Sequence, residues 1–134
     1  MRYAETDQMG VAHHANYPVW YEVARTDFIK TLGITYSEME AMGVMTPLVE
    51  LNCRYISATR YEDVLTVETS VSVLSPARIQ FDYTIRRQGE PKPVNTGSTM
   101  HAWVDSKTFR PINLKKSYPD LYRKILDVME TREE

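Results

Sequence analysis

The sequence has a single cysteine, no long apolar run and no excess of positive charge. Cys53 has no second cysteine to pair with, so an internal disulfide is excluded and we expect a reducing, cytoplasmic setting. No apolar run approaches the roughly 20 residues that a membrane span requires, and the N-terminus lacks the charged and apolar regions of a signal peptide. A formal net charge of -2 offers no basic surface for nucleic acid.

The chain also lacks internal repeats, low-complexity tracts and Gly/Ser linkers. Its 134 residues are 43% hydrophobic and 25% charged, which suits one globular unit with one core. We therefore predict a single domain over residues 1–134. A strand is expected to lead into Asp7, but Asp7 lies very close to Met1, which raises the question of whether residues precede Met1.

A helical period near the N-terminus predicts a long, largely buried helix from Tyr17 to Leu32. Asn16 is a good N-cap, Pro18 suits the first turn and Gly33 is a natural stop. Apolar residues recur every four positions, at Trp20, Ala24, Phe28 and Leu32. This apolar stripe is widened by Tyr17, Tyr21 and Val23.

Two further helices are predicted. The first runs from Ser37 to Met42, with Ser37 as its cap, Glu40 at the capping-box position and Gly43 as its stop. The second, from Ser117 to Met129, closes the chain and is apolar at every third or fourth position.

After Gly43 the apolar period changes from helical to alternating. Four segments rich in β-branched and aromatic residues are predicted strands: Leu48 to Ile56, Leu65 to Val73, Ile79 to Ile85 and Val94 to Val104. Short turns separate them, so we expect a meander with mainly antiparallel pairing. The predicted fold class is α+β, a curved antiparallel β-sheet wrapped around one long central helix.

The segment before the first helix carries the strongest indication of chemistry. Asp7 lies on a short turn, Gly10 permits that turn to be tight, and His13 and His14 follow directly before the helix start. Backbone N–H groups at a helix N-terminus can hold an oxyanion while a nearby carboxylate attacks or activates water. The segment therefore predicts chemistry on an acyl group, although an Asp before a helix is, on its own, more often a cap or turn residue.

Other polar residues have simpler interpretations. His13 and His14 are adjacent, so their side chains diverge, and no third ligand occurs at suitable spacing; we expect no metal site. Glu22 is either a helix acid for catalysis or, as we prefer, a buried partner for Arg25 or Thr26. Two residues are expected to be structural: His101, on a strand or at an interface, and Cys53, as a small apolar group.

The stretch DQMGVAHHANY, from Asp7 to Tyr17, is followed by Glu22 and by Ala24-Arg25. This pattern resembles the signature of the 4-hydroxybenzoyl-CoA thioesterase family of hotdog-fold proteins, especially its bacterial acyl-CoA thioesterase branch. An acid, a glycine three residues later and Asn-Tyr at nine and ten rarely coincide. The similarity extends over nearly the whole chain, through residues 46–49, Asn52, and residues 61–69, 97–105 and 110–112.

The resemblance implies that Asp7 is the catalytic carboxylate, either as nucleophile on the thioester carbonyl or as general base for water. It implies an oxyanion donor in the backbone N–H of His14, whose side chain is a second catalytic candidate. It also implies substrate-binding positions. Tyr3 would hold Asp7, Asn16 and Tyr17 complete the motif, Thr46 would donate a hydrogen bond near the reacting group, and Arg78 would meet the CoA nucleotide.

The expected reaction is hydrolysis of an acyl-CoA thioester to free acid and CoA, without a cofactor. Arg78 is the only cation where the best-known family member has a basic cluster, so an acyl carrier protein is a second possible carrier of the substrate. A curved sheet with an open edge predicts a homodimer or homotetramer. Two alternatives are a non-catalytic module that binds acyl thioesters, and a hydratase or dehydratase, for which no His-based motif is found.

Overall fold

The computed structural model describes residues 16–60 and 62–133, with the last four given by backbone alone. Helices and strands follow in this order: α1 Asn16–Lys30, α2 Tyr36–Met42, β1 Val44–Met45, β2 Leu48–Tyr55, β3 Leu65–Leu74, β4 Arg78–Arg87, β5 Pro93–Ala102, β6 Val104–Asp105, α3 Leu114–Ser117 and α4 Pro119–Glu133. The α+β class is confirmed. The strand expected before Asp7 lies outside the described residues. No helix within the described ranges combines the length and the apolar character needed to cross a membrane.

The main sheet has four antiparallel strands in the order β2-β5-β4-β3. Antiparallel pairing is therefore confirmed, but a meander through all four strands is wrong, because β2 and β3 lie at opposite edges. The connection between them crosses the end of the sheet: the N–H groups of Ile56 and Ser57 both donate to the carbonyl of Val94 on β5. Arg87 on β4 then forms an ion pair with Asp63, 3.2 Å from Nε to Oδ2.

A two-stranded ladder between β1 and β6 interrupts the last predicted strand. Trp103, which is 1% exposed, separates β5 from β6. Its backbone N–H donates to the carbonyl of Ala77, and its indole Nε1 donates to that of Ser75. The chain leaves the main sheet here because a buried indole holds Trp103 to the β3–β4 turn.

The core lies between α1 and one face of the sheet. Strand β4 alternates as predicted and buries Ile79, Phe81, Tyr83 and Ile85. Helix α1 buries Tyr17, Tyr21, Phe28 and Ile29. The prediction of a broad buried stripe that includes Val23 is wrong, because the side chains of Val19 and Val23 are 48% and 58% exposed.

Helix α2 begins earlier than predicted because its cap is Thr35 rather than Ser37. Thr35 has an extended backbone, and its Oγ1 accepts a hydrogen bond of 3.2 Å from the backbone N–H of Glu38. The Thr35 and Glu38 pair has the spacing of a capping box, which was predicted at Ser37 and Glu40. Gly43 ends the helix as predicted, with φ of 111°.

The C-terminal helix is divided at Tyr118. The short α3 is capped by Asn113, whose side chain accepts from the N–H of Lys116, and α4 begins at Pro119. A proline is favoured at the first helical position because its missing N–H would have no helical partner there. The predicted start at Ser117 therefore falls at the junction of two helices. Leu121 and Ile125 are buried, as the apolar period indicates.

Candidate active site

The start of α1 is where the sequence predicts an oxyanion site. Asn16 lies within the helix rather than capping it, since the described part of α1 runs from Asn16 to Lys30, and Pro18 lies near the start of that part. First-turn N–H groups have no partner within their own helix, and the helix dipole favours negative charge beside them. The predicted residues Tyr3, Asp7 and His14 lie outside the described residues.

Aromatic rings surround this first turn. Tyr17 is 3% exposed, and its ring centroid lies 4.8 Å from that of Trp20 and 5.1 Å from that of Tyr55 on β2. The hydroxyl of Tyr17 shares a hydrogen bond of 2.9 Å with Oγ1 of Thr59, which is fully buried. The Tyr17 phenol thus has a partner within the protein, and its contact with substrate stays a prediction.

A polar cluster lies one turn further along α1, around Tyr21. Its ring stacks on that of Tyr83, with centroids 4.3 Å apart and planes 5° from parallel. Its hydroxyl donates to Oδ1 of Asn95, whose amide Nδ2 donates to Sγ of Cys53 at 3.4 Å. Burial raises the pKa of the Tyr21 phenol well above its ordinary value, so the phenol remains a donor.

A chain of hydrogen bonds runs from α1 to the loop between β1 and β2. Nη1 of Arg25 donates to the phenol oxygen of Tyr83 at 3.3 Å. Tyr83 shares a hydrogen bond of 2.6 Å with Thr99, and Thr99 shares one of 2.9 Å with Nε2 of His101. Nδ1 of His101 lies 3.0 Å from the carbonyl oxygen of Thr46.

His101 is neutral at pH 7 because its pKa is low, and the neutral ring fixes the directions of these bonds. The carbonyl of Thr46 can only accept, so Nδ1 of His101 carries the proton and Nε2 accepts from the Thr99 hydroxyl. Tyr83 then donates to Thr99. Burial, followed by the positive charge of Arg25, lowers the pKa of His101 to about 4. These contacts agree with the predicted structural role of this histidine.

His101 should make the protein less stable in mild acid. Between pH 6.5, its ordinary pKa, and pH 4, the unfolded chain binds a proton that the folded chain excludes, so stability falls as pH drops through this window. The expected loss is about 2 to 3 kcal/mol of the free energy of unfolding. Urea unfolding at pH 7 and pH 4.5 measures it. His101→Gln removes the titrating group, so its stability should vary less with pH; parallel profiles would contradict the assignment.

The structure separates the predicted binding residues into two groups. Tyr17 contacts Tyr55, which pairs with Asn95 near the start of β5. Thr46 contacts His101, and the exposed Arg78 pairs with Ala102, both near the end of β5. Asn95 and His101 are six residues apart, or about 20 Å along the strand. One copy of the chain therefore does not bring Thr46 and Arg78 to the start of α1.

A groove of about 1020 Å³ lies between α1 and β3. Val19 and Val23, the two exposed valines of the helix, face it, which explains why the predicted apolar stripe is not fully buried. Its described lining holds the acids Asp27, Glu68 and Asp82 and includes no cationic side chain. Because like charges repel, this lining does not suit the phosphates of a nucleotide.

The interpretation of Glu22 needs correction. Glu22 is exposed rather than a buried partner of Arg25, and the Thr26 hydroxyl donates to the backbone carbonyl of Glu22 rather than to its carboxylate. The described partners of Arg25 are the phenols of Tyr36 and Tyr83. Cys53 packs against the hydrophobic core as predicted, and its Sγ also accepts a hydrogen bond of 3.4 Å from Nδ2 of Asn95.

The polar inner face of β5 was not predicted from the sequence. Asn95, Thr99 and His101 are each at most 3% exposed and lie at alternate positions of the strand with Gly97. No alternation in the sequence marks this face, because Thr96 and Ser98 at the intervening positions are polar as well.

A comparison with known protein families decides the assignment. The model described as the thioesterase-like superfamily matches residues 1–125. The chain belongs to this superfamily. The predicted thioesterase family, the hotdog fold and the assignment as a thioester hydrolase are thereby confirmed.

Individual thioesterases match over most of the chain. It is 40% identical over 120 residues to the putative acyl-CoA thioesterase YneP of Bacillus subtilis strain 168, covering 90% of this chain and 86% of that one. It is 30% identical over 113 residues to the chloroplastic acyl-acyl carrier protein thioesterase ATL3 of Arabidopsis thaliana, covering 84% and 59%. The crystal structure of DHNA-CoA thioesterase from Staphylococcus aureus matches with a TM-score of 0.89 at 37% identity, covering 99% and 89%.

Proposed function

We propose that this thioesterase hydrolyses an acyl-CoA thioester to the free acid and CoA. The observation that carries the proposal is the 40% identity, over 90% of the chain, to a relative named as a putative acyl-CoA thioesterase. The structural match to a DHNA-CoA thioesterase supports the same carrier. Hydrolysis needs a group that attacks or activates water and a donor for the oxyanion, and the sequence supplies candidates for both.

Asp7 is the proposed catalytic carboxylate, as nucleophile or as general base. As nucleophile it attacks the thioester carbonyl, the C–S bond breaks, and the thiolate leaves; water then hydrolyses the resulting anhydride. As general base it takes a proton from the water that attacks the carbonyl. Both routes form an oxyanion, for which the backbone N–H of His14, before the first turn of α1, is the proposed donor. One such donor is worth about 100- to 1,000-fold in turnover.

The remaining predicted residues have supporting roles. Tyr3 and Asn16 hold the catalytic turn in this proposal, and Tyr17 closes the pocket beside it through the ring contacts with Trp20 and Tyr55. Thr46 is held through its carbonyl by the neutral His101. This contact leaves the hydroxyl of Thr46 available to meet the substrate.

The site is proposed to be shared between two copies of the chain. Thr46 lies about 20 Å along the sheet from the contacts of Tyr17, too far for both residues to meet the same thioester group within one copy. Strand β2 is an edge of the described sheet. If two β2 strands pair antiparallel about a two-fold axis, the Tyr55 end of one meets the Leu48 end of the other. The first turn of α1 then lies beside the Thr46 end of the partner subunit.

The composition of β2 supports this pairing. Its apolar side chains are exposed although the strand is long: Leu48 is 55% exposed, Val49 48%, Leu51 42% and Tyr55 49%. A long apolar edge strand invites pairing with another chain, which natural monomers avoid with charges or prolines on the edge. We propose a homodimer formed through β2, with a tetramer as its possible further assembly.

Leu51→Lys, at the middle of β2, should weaken the dimer and lower activity together. A buried lysine without a partner opposes association, so we expect the dimer dissociation constant to rise at least about tenfold. Sedimentation velocity over a range of protein concentrations measures it. Val64→Lys is the matched control, because Val64 is 58% exposed but lies outside every strand. A monomeric wild type with full activity would contradict the shared site.

CoA is the proposed carrier of the acyl group, and an acyl carrier protein is the alternative. Arg78 is exposed at the start of β4, on a turn that Ser75 holds through its Oγ, 3.0 Å from the N–H of Arg78. A single exposed cation gives a weak grip on the CoA phosphates. An acyl carrier protein presents the same phosphopantetheine thioester, and one relative is named for that carrier.

Release of free thiol tests the function. Wild-type protein is assayed with acetyl-, hexanoyl-, palmitoyl- and benzoyl-CoA, and hydrolysis of at least one is the expected result. Measurable binding of these thioesters without turnover would favour the non-catalytic binding module instead. Turnover only when the acyl group is loaded on an acyl carrier protein would change the carrier but keep the reaction.

A further inference from the structure

Three polar side chains on one face of α1 fasten the helix to the structure beneath it. Tyr17, Tyr21 and Arg25 recur every four residues and therefore lie on one face. The hydroxyl of Tyr17 bonds Thr59, that of Tyr21 bonds Asn95, and Arg25 bonds phenols on neighbouring elements. Apolar packing alone allows small sliding movements, whereas hydrogen bonds of this kind fix the position of a helix along its axis.

Tyr21 is the most constrained of these three contacts. It is 0% exposed, and its ring is held flat against Tyr83. Its acceptor, Asn95, is also 0% exposed, and the amide group uses both ends, since Oδ1 accepts from Tyr21 and Nδ2 donates to Cys53. An amide with both ends engaged cannot rotate without losing a bond, so the acceptor is fixed in place.

The sheet makes room for this contact at Gly97. A Cβ at this position would lie 2.4 Å from the hydroxyl oxygen of Tyr21 and 2.6 Å from its ring carbon Cε2. Gly97 pairs with Cys53 on β2 and with Tyr83 on β4, so it lies at the centre of the cluster. The backbone of β5 thus carries a recess that accepts one phenol at one position along the strand.

We propose that Tyr21 is a positioning residue for thioester hydrolysis, because its hydrogen bond to Asn95 sets the position of the first turn of α1. Tyr21 lies five residues after Asn16, or about 7.5 Å along a helix that is stiff over this length. The inference rests on the proposed function, which puts the oxyanion donor at that end of α1. A displacement of about 1 Å between donor and substrate can cost on the order of 100-fold in rate.

Tyr21→Phe tests the proposal because it keeps the ring and its stacking and removes only the hydroxyl. We expect kcat on the best acyl-CoA substrate to fall about tenfold, with KM unchanged within about twofold, since substrate binding does not use this bond. Exchange of the backbone amides of residues 20–25, measured without substrate, should rise because the second turn of α1 opens more often.

Tyr118→Phe is the matched control. Its hydroxyl donates to the carbonyl of Met42 at 2.9 Å, so this variant also loses a phenol hydrogen bond, but one between α2 and the start of α4. Its kcat should stay within about twofold of the wild-type value at 25 °C. Melting curves check that both variants are folded at this temperature. If wild type is active, two results would overturn the positioning role of Tyr21 but not the proposed function. These are an unchanged kcat in Tyr21→Phe and an equal loss of kcat in Tyr21→Phe and Tyr118→Phe. A wild type that releases no thiol contradicts the proposed function instead.

Discussion

Asp7→Asn should lower thioester hydrolysis at least about 100-fold while the protein remains folded. Asparagine has the size of aspartate but carries no charge, so it can neither attack a thioester carbonyl at a useful rate nor take a proton from water. The measurement is the rate of thiol release by wild type and variant on the same acyl-CoA. Because binding energy is little changed, the loss should appear in kcat rather than in KM.

Asp27→Asn is the matched control for this variant. Asp27 is an exposed carboxylate on α1 that lines the groove beside β3, so the same change of charge there should leave kcat within about twofold. Melting temperatures of the two variants show whether either has lost its fold. Full activity of Asp7→Asn would contradict the assignment of Asp7 and leave the thioesterase without an identified carboxylate.

Gly97→Ala should destabilise the protein by about 2 to 4 kcal/mol. The new methyl group would meet the Tyr21 hydroxyl at 2.4 Å and the backbone carbonyl oxygen of Asn52 at 2.6 Å. A carbonyl in a β-ladder cannot move aside as the tip of a flexible side chain can, so β2, β5 or α1 must shift. Thermal unfolding measures the effect, and a melting temperature lower by roughly 10 °C is expected.

Gly33→Ala separates this clash from the general cost of replacing a glycine. Gly33 follows α1 with φ of 81°, and a Cβ there would meet nothing within 4 Å. Its replacement should cost only about 1 kcal/mol, from backbone strain alone. Equal losses at the two positions would mean that the recess under Tyr21 has no special role.

Local features of the fold were predictable from the sequence because they depend on nearby residues. The alternation of β4 follows from residues two apart, and Gly43 ends α2 because it can adopt a positive φ. The cap of α2 was misplaced by two residues, since Thr35 and Ser37 are both good caps and both have an acid three residues later. Only the backbone conformation before the helix decides between them.

The position of β2 in the sheet was not predictable from nearby residues. Short turns favour pairing of neighbouring strands, but β2 pairs with β5, about 45 residues further along the chain. This choice depends on Val94, which accepts from both Ile56 and Ser57, and on the buried Thr59 in the connection. Contacts over such separations leave no local period in the sequence.

The candidate site was likewise predictable from the sequence only in part. Its reactive residues, with Asp7 foremost, were identified from a compact motif and its resemblance to a family. The network around Tyr21 and His101 was missed, because its members come from α1, β4 and β5 and meet only in the folded chain. Tyr21 was assigned to an apolar stripe, although its hydroxyl is the part that makes the specific contact.

The strand order also sets the sequence of events when this chain is made on a ribosome. Helix α1 and β2 emerge first, but the strand that lies beside β2 is β5, which ends only at Ala102. At about 5 to 20 residues per second, the synthesis of the intervening segment takes roughly 3 to 10 s. During this interval β3 and β4 can already pack against α1, but β2 has no neighbouring strand. The exposed apolar residues of β2 are therefore open to pairing with other chains until β5 is complete.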